Sequence, residues 1–118
     1  VLKPVSQPTS LESEGWQLKA PVAGFRQGSC VKRQLEPAAD DNRQTPAEVL
    51  HAIFTDGLTH VSLFIEPLRA DRHRAGAAAS GATHSWMQAH GNHWITVVGD
   101  VPAATLKQFA AALESKPR

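Results

Sequence analysis

A chain of 118 residues, 42% hydrophobic and 19% charged, has the size and balance of one globular domain and can bury a core without disulfides or metals. Its net charge of +1 and the absence of Tyr leave neither the basic footprint nor the stacking platform that nucleic acid calls for. No window nears the roughly 20 apolar residues of a membrane-spanning helix.

Residues 1–14, VLKPVSQPTSLESE, contain Pro4, Pro8 and several hydroxyl residues without a sustained period. That is the composition of a linker or a disordered N-terminus, and it places a single domain over 15–118. The chain opens on Val1 rather than Met, as a processed product or an excised domain would. In GWQLKAPVAGF, Trp16 and Leu18 alternate before a turn at Pro21 and Gly24. SCVKRQLE, residues 29–36, alternates weakly and suits a strand. Its lone Cys30 has no second thiol for a disulfide, redox or metal chemistry and reads as a small apolar side chain. Residues 37–46, PAADDNRQTP, have loop composition.

The strongest signal lies in 47–66. An Asp56-Gly57 turn between two β-favouring runs predicts a hairpin with a two-residue loop, Phe54 opposite Thr59 and Leu50 opposite Leu63. One face is then Leu50, Ala52, Phe54, Val61, Leu63 and Ile65, a core surface. The other holds Val49, His51, Ile53, Leu58, His60, Ser62 and Phe64, and it too carries apolar residues. Residues 68–83, LRADRHRAGAAASGAT, begin basic and end rich in Ala and Gly, which predicts a long mobile connection. A second hairpin is predicted over 84–99 about Gly91-Asn92, with His90 opposite His93 and Trp86 opposite Val97. DVPAATLKQFAAALESK, 100–116, reads as a helix: Pro102 suits its first position, and Leu106, Phe109, Ala110 and Leu113 form one apolar stripe.

The expected fold is α+β: a mainly antiparallel, hairpin-rich sheet of about five or six strands with one C-terminal helix packed on one face. One helix cannot cover both faces of such a sheet, so the second apolar face is a candidate contact surface.

The sequence offers little for catalysis or metal binding. His84 and His90 share a strand face but stand roughly 20 Å apart, and neither the His90–His93 pair nor the His51–His60 pair has a third ligand nearby in sequence. No Gly-x-Ser-x-Gly elbow or phosphate-cradling glycine pattern is present, and the carboxylates sit mainly in turns. These observations argue against an enzyme, a metal site or a cofactor.

The order of GWQLKAPVAGF, then VLHAIFTDGLTHVSLFIEP, then HWITVVGDVPAATLKQFAAAL resembles the C-terminal domain of the RseB/MucB family. The matching residues are Gly15-Trp16, Pro21 to Phe25, Thr55 to Leu58 and Thr96 to Pro102. The resemblance implies a periplasmic, non-enzymatic regulator in a Gram-negative bacterium. Its partner would be the periplasmic region of a membrane-bound anti-sigma factor of the RseA/MucA kind, protected from proteolysis so that the envelope-stress sigma factor stays inhibited. It also implies a large N-terminal lipoprotein-carrier-like domain that this chain lacks, so lipid binding is not expected here. A lipid- or lipoprotein-binding carrier domain is the competing reading, and homo-oligomers remain open. Under the resemblance, Ile53, Leu58 and Phe64 are the candidate partner-binding residues, with Arg69, Arg72 and Arg74 steering an acidic segment.

Overall fold

In the computed structural model, residues 6–19, 22, 24–35, 47–67 and 76–115 are described. Their strands are β1 (Ser6–Pro8), β2 (Trp16–Leu18), β3 (Arg26–Leu35), β4 (Ala47–Thr55), β5 (His60–Pro67), β6 (Gly76–Ser80), β7 (Thr83–His90), β8 (His93–Gly99) and β9 (Leu113–Ser115), with helix α1 (Ala103–Ala112) between the last two. Seven strands form one sheet in the order β1-β3-β4-β5-β8-β7-β6, and β2 pairs with β9 in a separate ribbon. All pairings are antiparallel. The expected mainly antiparallel sheet with one C-terminal helix is observed, with more strands than the sequence signals.

The β4–β5 hairpin forms where predicted but closes differently. Phe54 faces Val61 and Leu50 faces Ile65, leaving a four-residue loop at 56–59. Asp56 Oδ1 accepts from the backbone N–H groups of Leu58 (2.9 Å) and Thr59 (2.8 Å). Thr55 Oγ1 accepts from Gly57 N–H (3.0 Å) and donates to the Thr59 carbonyl (2.8 Å). These side-chain bonds satisfy donors locally, as an Asx-turn does, and outcompete the tighter turn. Only Gly57 takes a positive φ, 97°, whereas a type I′ loop needs two. The slip is two residues, the period of the pleat, so both strand faces keep their composition. Leu58 and Thr59 leave the strand, moving into the loop. The β7–β8 hairpin has the predicted register, His90 opposite His93 and Trp86 opposite Val97.

Three segments depart from expectation. Within 1–14, Ser6–Pro8 pair with β3 as an edge strand, and Leu11 is 3% exposed in the core. Their signals are a three-residue strand and one apolar residue, too short to show a period. Within 68–83, residues 76–80 form β6, with Ala77 opposite Trp86; a backbone ladder can recruit a segment of small residues that has no apolar pattern. Residues 68–75, like 37–46, lie outside those described. The helix stops at Ala112 rather than running to 116. Leu113 turns extended at φ −70°, ψ 131°, because Leu113–Ser115 pair with β2 and Gln17 Nε2 donates to Glu114 Oε1 at 2.6 Å.

The core lies on one face of the sheet. Leu50, Ala52, Phe54, Val61, Leu63, Ile65, Ile95 and Val97 meet Leu106, Phe109 and Ala110 of α1, with Leu11, Trp16, Val22 and Leu113 closing the side. Phe109 sits at its centre, against the rings of Phe25 (5.4 Å) and Phe54 (5.0 Å). Cys30 joins this face buried; burial and then the Glu14 charge push its thiol up from its ordinary pKa, which makes it a poor nucleophile.

Leu11→Ala is expected to lower stability by about 2–5 kcal/mol, as for any large-to-small core change, read as a drop in the urea unfolding midpoint. A linker residue would change nothing.

Candidate functional site

The opposite face of the sheet is built from the alternate residues of the same strands. Register aligns them in transverse rows. One row runs Val31, His51, Phe64, Thr96, Met87 across β3, β4, β5, β8 and β7. The next, toward the hairpin loop, runs Ile53, Ser62, Val98, Ser85. On the other side stand Arg33 opposite Val49, and Glu66 opposite Trp94. Val49 and Trp94 are buried, at 8% and 5% exposure, yet neither belongs to the main core. This face therefore has apolar packing of its own.

Between these rows lies a hollow of about 320 Å³ lined by Arg33, Val49, His51, Phe64, Glu66 and Thr96. His51 stacks on Phe64, ring centroids 4.2 Å apart and planes 19° from parallel. Both imidazole nitrogens of His51 are buried without a hydrogen-bond partner. Burial, and secondarily the Arg33 charge, hold its pKa below the ordinary histidine value. The ion pair seen among the described residues, Lys32 to Glu14 at 3.4 Å, stands on the core side of the sheet, away from this hollow.

Of the residues singled out in the sequence, Phe64 lines the hollow and Ile53 lies half-buried one row away. Leu58 is not with them: it projects from the loop at 96% exposure. Arg69, Arg72 and Arg74 fall outside the described residues. Arg33 and Thr96 escaped sequence reasoning because strands outside the predicted hairpin, β3 and β8, deliver them, whereas Val49 was placed on this face by alternation. His51 was placed on the right face by the period of two, but only packing shows that its nitrogens lack partners.

Among the described residues, hollows of about 260 Å³ beside Leu18, Phe25 and Phe109 and about 230 Å³ beside Trp16 and His93 stand on the core side. Among the described residues no three His, Cys, Asp or Glu side chains converge as a metal site would require.

The profile of the MucB/RseB C-terminal domain matches residues 10–114. Comparison with curated proteins gives no match. Among solved structures, the chain is similar to MucB in its complex with MucA(peri), at 25% identity and a TM-score of 0.66 over 88% of this chain and 37% of that one. It is also similar to a chain in the Pseudomonas aeruginosa MucA/MucB complex, at 25% identity and a TM-score of 0.60, covering 88% and 36% of the two chains. It thus spans little more than a third of the length of these structural relatives.

The state of His51 has a consequence for stability. An unfolded chain takes up protons as pH falls through about 6.5, while the folded chain, with His51 and His93 both held below that value, resists them. Stability is therefore full above about pH 6.5 and lost as pH falls toward the folded values. His51→Leu, which also removes two unpaired buried nitrogens, is expected to gain about 1 kcal/mol at neutral pH and to lose less on acidification, as measured by urea midpoints across the pH range.

Proposed function

The chain belongs to the MucB/RseB C-terminal domain family, and on that premise we propose that it is a non-catalytic regulatory module of the periplasm. It binds the periplasmic region of an anti-sigma factor of the MucA/RseA kind, shields it from proteolysis and so keeps the envelope-stress sigma factor inhibited. The observation that carries this reading is the second face of the sheet. It offers a partly apolar hollow about Phe64 and His51, where a domain that needed only to fold would present polar side chains. The complexes of MucB with MucA in similar structures support the choice of partner.

The carrier reading is less well supported. The core face is filled by α1 and its neighbours, and the hollows of about 230–320 Å³ stand at or below the small end of ligand sites, roughly 300–1,000 Å³.

Titration calorimetry of the chain against the periplasmic region of the anti-sigma factor from the same organism tests the proposal. Phe64→Ala is expected to weaken binding by at least about tenfold, since a partly buried aromatic in a hollow is where interface energy concentrates. Leu58→Ser should leave the unfolding midpoint unchanged, because that side chain touches solvent, and any loss of affinity it causes reports contact at the loop. If a longer form carrying the neighbouring domain binds and this chain does not, the face packs against that domain instead.

A further inference from the structure

His51 occupies a position that Leu or Val would fill at lower cost. An unpaired buried polar group is destabilising, and here both ring nitrogens are in that state. Phe64 covers one face of the imidazole, and both nitrogens are screened from water, so a group entering the hollow reaches them only by displacing the side chains that screen them. Arg33 lines the same hollow from β3 and is exposed, and no described carboxylate forms an ion pair with it. A guanidinium and an imidazole thus line one hollow beside the apolar surfaces of Val49 and Phe64.

We propose that this hollow seats a carboxylate of the partner segment, an Asp or Glu flanked by an apolar residue, with Arg33 and a protonated His51 as its hydrogen-bond donors, so that docking takes up a proton. This rests on the binding reading above and adds the chemistry of the contact. Burial first, and then the Arg33 charge, oppose protonation of His51. A bound carboxylate reverses that balance, because an opposite charge at close range favours the cation, and bonds between ionised partners are roughly twice as strong as neutral ones.

The other groups facing His51 agree with this arrangement. From β5, Glu66 borders the hollow but already has an interaction of its own. Its charge directs an incoming acid toward the Arg33 side. Thr96 from β8 and Val49 and Ile53 from β4 itself carry no charge.

The test is calorimetry of the chain with the periplasmic region of the anti-sigma factor at about pH 6 and about pH 8, in buffers of differing ionisation enthalpy, beside the same segment with its Asp and Glu replaced by Asn and Gln. Net proton uptake is expected, with higher affinity at the lower pH, the ratio approaching about tenfold per unit of rise in the His51 pKa only where the two pH values span its free and bound values. His51→Gln, which keeps hydrogen-bonding capacity, should flatten the pH dependence, Arg33→Gln should weaken binding at both pH values, and the amide segment should bind weakly and without proton uptake. In the unaltered chain, the NMR titration midpoint of the His51 ring should rise when the segment is added. Binding that is indifferent to pH, to His51→Gln or to the amide replacements overturns this inference and leaves the regulatory reading standing. Displacement of the segment by inorganic phosphate overturns it in favour of a small-anion site. Failure of the segment to bind at all overturns both.

Discussion

Burial of one face of the sheet is the constraint on which the rest of the structure depends. Each fully buried aliphatic or aromatic side chain is worth about 1.5–3 kcal/mol relative to exposure, and most of those in this chain stand on alternate positions of β4, β5 and β8 or on α1. The helix is only ten residues long and lies over β7 and β8. Its Phe109 reaches Phe54 of β4, but the β3 side of the sheet lies beyond it. That side is closed by Leu11, Trp16 and Val22 from the N-terminal segment and Leu113 from the C-terminal one. The two ends of the chain must therefore meet, and the β2–β9 ribbon is how they do so. The early end of the helix follows from this: residues after Ala112 satisfy their backbone groups by pairing with β2 rather than by continuing the helical ladder.

With every covering element on one side, the sheet's other face has no helix among the described residues, and its character depends on individual side chains. A solvated face would alternate to polar residues; this one keeps Val49, Ile53, Phe64 and Trp94, and places His51 among them without hydrogen-bond partners. Local inconsistencies of this kind tend to mark functional positions, because a sequence selected only for stability would remove them. The hollows on the core side differ in that their walls include core residues such as Phe54, Phe109, Leu50 and Ile65.

The β4–β5 loop shows how local chemistry can shift an element without harming it. Asp56 and Thr55 bond the backbone of their own loop, lengthening it by two residues. A shift of one residue would have turned the core residues of β4 or β5 to solvent; a shift of two preserves them. The exception is Leu58, which becomes an isolated apolar tip detached from the face on which alternation had placed it.

The strands β4, β5, β7 and β8, the helix stripe and the existence of two apolar sheet faces could all be read from the sequence, because they rest on periods of 2 and 3.6 sustained over several residues. The family could be read there too, from the order of short segments between Gly15 and Pro102. The strands β1, β6 and β9 could not, since each is three to five residues long and forms only when a neighbouring backbone offers a ladder. Nor could the composition of the hollow, where Arg33, His51, Phe64 and Thr96 are brought together by the register of four strands. Alternation assigns a residue to a face, but neighbours within that face, and whether a buried nitrogen finds a partner, are decided only when the strands pair and the sheet packs.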